Sequence, residues 1–329
     1  MTETTPTPQI KCVKLDESNE ETNWNHLPFE MKEMVIKEMD VVTRARLKQC
    51  SKTDKYLVET TPIHFEEVKA IFCRNDLIWR ATLKCADDTI IIEQDRAMLK
   101  IIRNGKRQLL LHAIDNAHEL AHLYFNSIIF QGKVSADFFK VTVPYPSHPF
   151  TCGIQIKVKK LEVEYLNDNN VYKWLQHFKP NVDSLKYKCT NKHLENMEIG
   201  SMDIVKNARK LDIFDCDITD NVLLNFKATQ LTVISDKLTK NGVNRLMKKM
   251  IREDYPVDST FKIHLPYSEE QQEMFEGFIS TPTEEVLYEQ RRKLQKYKYF
   301  ETITTSNLPK TWPELPEMMC VEGVMKSYN

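Results

Sequence analysis

A chain of 329 residues, 41% hydrophobic and 28% charged, has material for about two globular domains, and its net charge of −1 supplies no basic field to draw nucleic acid or anionic membrane. No apolar run approaches the roughly 20 residues of a membrane span, and the opening MTETTPTPQIKC lacks the basic-then-apolar form of a signal peptide. The expected setting is cytoplasmic or nuclear, with no nucleic-acid and no membrane partner.

Residues 1–22, rich in Thr, Pro and Glu, are expected to be a flexible tail. Residues 23–60 carry three short amphipathic helices. Pro28 suits a first helical position, where its missing N–H costs nothing. Met31, Met34, Val35 and Met39 then form one apolar stripe, with Lys32, Glu33 and Lys37 on the other side. Thr43 is a cap for a second helix running through Leu47 and Cys50, and Ser51 or Thr53 for a third through Leu57 and Val58. Three helices in about thirty-five residues enclose too little surface to fold alone with any margin, so their apolar side chains need a partner.

Thr61-Pro62, followed by Glu66 and Glu67 and by the stripe Phe65, Val68, Phe72 and Trp79, predicts a linking helix over 61–80. Between 81 and 115, TIIIEQD, MLKIIRNGK and RQLLLHAI read as strands of a small antiparallel piece, with Asn104-Gly105 as its hairpin turn. Ala117, Leu120, Ala121, Tyr124, Phe125, Ile128 and Ile129 predict a helix. From 158 the chain repeats an apolar i, i+3, i+5 register. It recurs at Val158-Leu161-Val163, Val182-Leu185-Tyr187, Ala208-Leu211-Ile213 and Ala228-Leu231-Val233, with a fifth unit from Phe261-Ile263-Leu265. Helical spacing follows at Val171-Trp174-Leu175-Phe178, Val243-Leu246-Met247-Met250 and Met274-Phe275-Phe278. A strand–helix period of about 20 to 30 residues is leucine-rich-repeat-like. The expected fold is therefore a mixed α+β and α/β chain: three small helices, then a strand–helix repeat domain over 81–280. A C-terminal helix and a Pro-containing tail over 281–329, with Pro309, Pro313 and Pro316, complete it.

Leu27-Pro28, Met31, Val35-Ile36, Met39-Asp40, Thr43-Arg44, Leu47, Cys50-Ser51-Lys52, Asp54 and Leu57-Val58 together resemble the F-box of the large nematode F-box family. The resemblance implies docking on a Skp1-like adaptor, which links the F-box to a cullin and a RING subunit in an SCF ubiquitin ligase. The apolar docking positions it implies are Leu27, Pro28, Met31, Val35, Met39, Leu47, Cys50 and Leu57. Where many F-boxes carry a tryptophan, Thr53 and Asp54 stand instead. Downstream, LEVEYLN, NVYKWLQHFKPNVDSLKY and KLTKNGVNRLMKKMI look like the FTH-type domain that follows the F-box in that family, which implies a surface for a protein substrate. The role implied is recruitment without catalysis, with no cofactor and no metal.

One rival chemistry is present. His118-Glu119-Leu120-Ala121-His122 is an HExxH match, in which histidines one helical turn apart ligate zinc and the glutamate activates water. Phe125 and Ile128 replace the Gly and His of the extended form, leaving Glu162 or Glu164 as the third ligand. A scaffold without adaptor binding is the other alternative. The basic run Arg291, Arg292, Lys293, Lys296 and Lys298 after Glu284 and Glu285 complements a helix dipole. Seven glycines make no phosphate loop and no GxSxG elbow. The eight cysteines, at 12, 50, 73, 85, 152, 189, 216 and 320, form no CxxC pair and read as reduced core thiols.

Overall fold

A computed structural model describes residues 24–73, 78–86, 88–95, 98–111, 117–129, 133–143, 155–165, 175–189, 199–214, 218–253, 255–266, 297–307 and 318–328. The expected N-terminal tail, the helical spacings at 171–174 and 274–278, and the basic run at 291–296 lie outside them.

The chain opens with three short helices: α1 (Phe29–Glu38), α2 (Val41–Leu47) and α3 (Lys52–Thr60). Pro28 sits one position before α1 as its N-cap, at φ −55°. The second helix is capped by Asp40, not by Thr43. The Asp40 carboxylate accepts from the Thr43 N–H at 2.9 Å and from its hydroxyl at 2.7 Å. Ser51 caps α3, accepting from the Asp54 N–H at 3.0 Å.

A large, mostly β domain follows. Its thirteen strands form one sheet in the order β12-β13-β11-β10-β9-β8-β7-β6-β1-β2-β3-β4-β5. The N-terminal wing is β1 (Ile63–Cys73), β2 (Ile78–Cys85), β3 (Asp88–Asp95), β4 (Met98–Arg103) and β5 (Lys106–Leu111), an antiparallel meander. Asn104 and Gly105 turn β4 into β5 with φ of 49° and 75°, the double positive φ that a tight hairpin needs. After α4 (Ala117–Ile129) the chain returns beside β1. It then lays down β6 (Val134–Val143), β7 (Lys157–Tyr165), β8 (Ser184–Cys189), β9 (Lys210–Phe214), β10 (Gln230–Ile234) and β11 (Thr260–Pro266), all parallel. The described helices between them are α5 (Asp203–Lys206), α6 (Asp220–Leu223) and α7 (Lys240–Arg252). An antiparallel pair, β12 (Tyr297–Asn307) and β13 (Met318–Tyr328), closes the far edge against β11.

One face of the sheet holds the core. Phe65, Val68, Phe139, Leu161, Leu185, Leu211, Val233 and Phe261 are buried there with Phe125 of α4, Leu223 of α6 and Val243 and Met247 of α7. Burying each such side chain contributes roughly 1.5–3 kcal/mol. The opposite face is polar. A rung of Lys69, Lys140, Glu162, Lys186, Asp212, Thr232, Lys262 and Glu322 crosses eight strands in register. Lys140–Glu162 and Lys262–Glu322 pair directly along it.

Two expectations are corrected, and the leucine-rich-repeat likeness is not confirmed. The linking helix over 61–80 is strand: β1 runs through Phe65 and Val68, and β2 begins at Ile78. The cause is a break in alternation. Phe65 pairs with Ala136 and Glu67 with Phe138, so Glu66 and Asp137 are skipped together, and the buried side chains fall at Phe65, Val68 and Ala70. Sampled from Phe65 and Val68, that i, i+3 step imitates a helix. Residues 297–307 and 318–328 of the expected helix-and-tail segment are strands, because Pro309, Pro313 and Pro316 lie between them and leave the β-branched run Ile303-Thr304-Thr305 free to pair. A regular leucine-rich repeat is not what the structure displays. α5 and α6 have 4 residues each against 13 in α7, and antiparallel strands flank the parallel stack on both sides.

The helices join the sheet through α2. Val41 belongs to the large core. The buried Arg44 guanidinium donates to the Lys37, Met39 and Pro62 carbonyls at 3.0, 3.2 and 3.0 Å, satisfying acceptors that the end of α1 leaves open. Arg103 of β4 pairs with Asp40 at 2.9 Å and with Asp88 at 2.7 Å. Burial pushes the Asp40 carboxyl up, but the Thr43 hydrogen bonds and Arg103 outweigh it and hold it below the ordinary value. A lowered folded value means that Asp40 stabilises above the unfolded carboxyl value of about 4 and ceases to as pH falls through the folded one. Urea unfolding at pH 7 and pH 3 is expected to show Asp40→Asn less stable than the parent chain at pH 7, with the difference shrinking at pH 3. An equal difference at both would contradict the linkage.

Candidate partner-docking face

Only Ile36, Leu57 and Val58 form the private core of the helical unit, with Trp24, Met39 and Leu47 packed around them. Ile36 is the one buried residue of α1. At 3.6 residues per turn, Met31 and Met34 point away from it, so the apolar stripe of α1 faces outward. Phe29, Met31, Met34 and Val35 are 44, 50, 65 and 41% exposed, and Tyr56 of α3 is 59% exposed beside them. The Phe29 and Tyr56 rings lie 6.4 Å apart and tilted, joining α1 and α3 on the surface.

The eight residues singled out from the sequence divide into two groups. Pro28, Met31, Val35 and Cys50 are exposed, while Leu27 is half-buried with its N–H on the Trp24 carbonyl at 3.2 Å. Met39 and Leu47 are half-buried against the small core, and Leu57 is fully buried in it. Those three shape the face from beneath. Sequence spacing missed Phe29 and Tyr56. Each sits one residue from a position it did select, Pro28 and Leu57, and bulky aromatics there were the available signal.

Trp24 fastens the edge of this face. Its indole N–H donates to Asp54 at 2.8 Å, and Asp54 also accepts the Ser51 hydroxyl at 2.7 Å. Lys32 lies over the Trp24 ring at 5.6 Å. Asp54, buried where a tryptophan was the commoner residue, is thus held by a tryptophan from the opposite end of the unit.

The HExxH residues fall on α4 as expected, but the side chains of His118, Glu119 and His122 lie outside those described. Their candidate third ligands are engaged by lysines instead. Glu162 pairs with Lys140 at 3.4 Å and Glu164 with Lys188 at 3.2 Å, on the sheet face opposite the one α4 covers. No group of three or more metal-ligating side chains occurs among the described residues. Cys50 is an exposed thiol rather than a core one, whereas Cys85 is half-buried and Cys320 buried. Among the described residues no helix is long and apolar enough to cross a membrane.

Residues 24–66 match the F-box domain family, a span that covers the three helices and the first residues of β1. The chain therefore carries an N-terminal F-box domain. Residues 150–277 match the FTH domain, which takes in the parallel strands β7 to β11, so the architecture is an F-box followed by an FTH domain. No curated protein and no solved structure shows a significant match.

The division between face and core has an energetic signature. Leu57→Ala is expected to lower unfolding stability by about 2–5 kcal/mol, and Met34→Ala, at 65% exposure, by no more than about 0.5 kcal/mol. Chemical denaturation of both variants checks this, and comparable losses would contradict the assignment.

Proposed function

We propose that this chain is the substrate-recruiting subunit of an SCF-type ubiquitin ligase, docking a Skp1-like adaptor through its F-box and a target protein through its FTH domain. The observation that carries the reading is the outward apolar stripe of α1, on a segment that matches the F-box family. Pro28, Met31, Val35 and Cys50, joined by Phe29, Met34 and Tyr56, are the direct contacts, and Leu27, Met39, Leu47 and Leu57 hold them in place. Exposed aromatic and Met side chains suit the centre of a protein interface.

In such an assembly the chain performs no bond chemistry. Holding an acceptor lysine beside a charged conjugating enzyme raises their effective concentration, and that needs no acid, base or nucleophile from the adaptor subunit. The cullin–RING part then supplies the rest. The fitting compartments are the cytoplasm and the nucleus, where Cys50 stays reduced.

Capture of the full chain on an immobilised Skp1-type protein tests the reading. Met31→Asp and Val35→Asp are each expected to weaken capture at least about tenfold, the usual scale for losing an interface anchor, with the unfolding midpoint unchanged because both sites are exposed. Undiminished capture would favour a scaffold that works without this adaptor.

A further inference from the structure

A basic cleft of 360 Å³ lies on the FTH domain, between α7 and the Leu224 turn that ends α6. Its walls are Arg245, Lys248, Lys249 and Arg252 of α7, with Leu224 and Glu253. The four cations recur at i, i+3, i+4 and i+7, which is one side of a helix. The other side, Val243, Leu246, Met247 and Met250, is buried in the core, so the orientation of the row is set by packing.

The platform is well fastened. At the start of α7 the Thr239 hydroxyl caps the Gly242 N–H at 3.1 Å and itself donates to Asp220 at 2.6 Å. Near its end Lys249 donates to the Leu224 and Phe226 carbonyls at 2.6 and 3.1 Å, and pairs with Glu253 at 3.5 Å. Lys249 is thereby spent on structure and on Glu253, the one acidic residue among the described residues of the cleft. Arg245 and Arg252 stay exposed, and among the described residues no ion pair engages either of them.

That excess is local. The whole chain carries a net charge of −1, and the polar face of the sheet neutralises its own charges, Lys210 against Asp212 and Lys262 against Glu322. Four like charges along two turns of helix repel one another, and among the described residues neither Arg245 nor Arg252 meets a carboxylate. Complementary charge from outside suits these two arginines.

Building on the recruiting role above, we propose that this cleft receives a short acidic segment of the protein to be modified. Arg245 and Arg252 stand seven residues apart, about 10.5 Å along the axis, which is the length of roughly three residues of extended chain. A run of Asp and Glu side chains spans the row from end to end, whereas one small anion reaches a single turn of it. Lys248 lies between the two arginines and completes the track.

The test uses the full chain, a fluorescent peptide of eight glutamates and its eight-glutamine counterpart, followed by anisotropy. The glutamate peptide is expected to bind, to weaken steeply as salt rises, and to exceed the glutamine peptide at least tenfold. Arg245→Glu with Arg252→Glu is expected to reduce that binding at least tenfold while leaving capture by a Skp1-type protein intact. Should the double reversal disturb folding, Arg245→Gln with Arg252→Gln serves with the same direction of effect. Equal binding of the two peptides, retained binding by a folded variant, or tighter binding of a single-stranded oligonucleotide of equal charge would each overturn the proposal. Loss of adaptor capture by the parent chain would overturn the ligase reading instead, a separate readout from peptide binding.

Discussion

Arg44 is the residue on which the arrangement turns. Three helices that enclose only Ile36, Leu57 and Val58 have too small a core to stand by themselves. Stability comes from the sheet. The guanidinium of Arg44 gathers the carbonyls of Lys37 and Met39 around the end of α1 and that of Pro62 at the threshold of β1, while Val41 enters the main core and Asp40 reaches Arg103. Because α2 is the anchor, α1 has no need to bury its own apolar stripe, and that stripe remains outside. A helix that would otherwise turn inward to stabilise its domain keeps that stripe at the surface.

The sheet carries this division through the molecule. Among the described residues helices cover one face, so the parallel strands are apolar on one side and polar on the other, in the manner of antiparallel sheets that face water. Here the pattern extends across six parallel neighbours as well. Many lysines and carboxylates of the polar face pair with one another, each pair worth little by itself, whereas Arg245 and Arg252 on the outer side of α7 meet no carboxylate among the described residues. Adaptor contact and target contact, on this account, use different physics: desolvated apolar surface at one end, charge complementarity at the other.

Much of this was legible in the sequence. The register at Val158-Leu161-Val163 and its three successors marks parallel strands, and all of those side chains are buried. The same i, i+3, i+5 signature stands at Phe65-Val68-Ala70 and Ala136-Phe139-Val141. Six parallel strands therefore share one break in alternation, and extending the repeat backward would have identified β1 as a strand. Thr61-Pro62 and two glutamates hid it behind a plausible helix start. The hairpin at Asn104-Gly105 was readable because Asn-Gly readily takes two successive positive φ values. β12 and β13 were not, since their pairing spans a proline-rich connection that local pattern does not bridge. On the docking face, spacing separated apolar from polar on α1 but not inward from outward, because that choice is made by where α2 is tethered.

Hydrogen exchange on the full chain, alone and bound to a Skp1-type protein, tests the central claim most directly. The account predicts that binding slows exchange in Phe29–Glu38 and the exposed side of Lys52–Thr60, while β7 to β11 keep their free-state rates. A bound complex in which α1 exchanges as fast as before would contradict it.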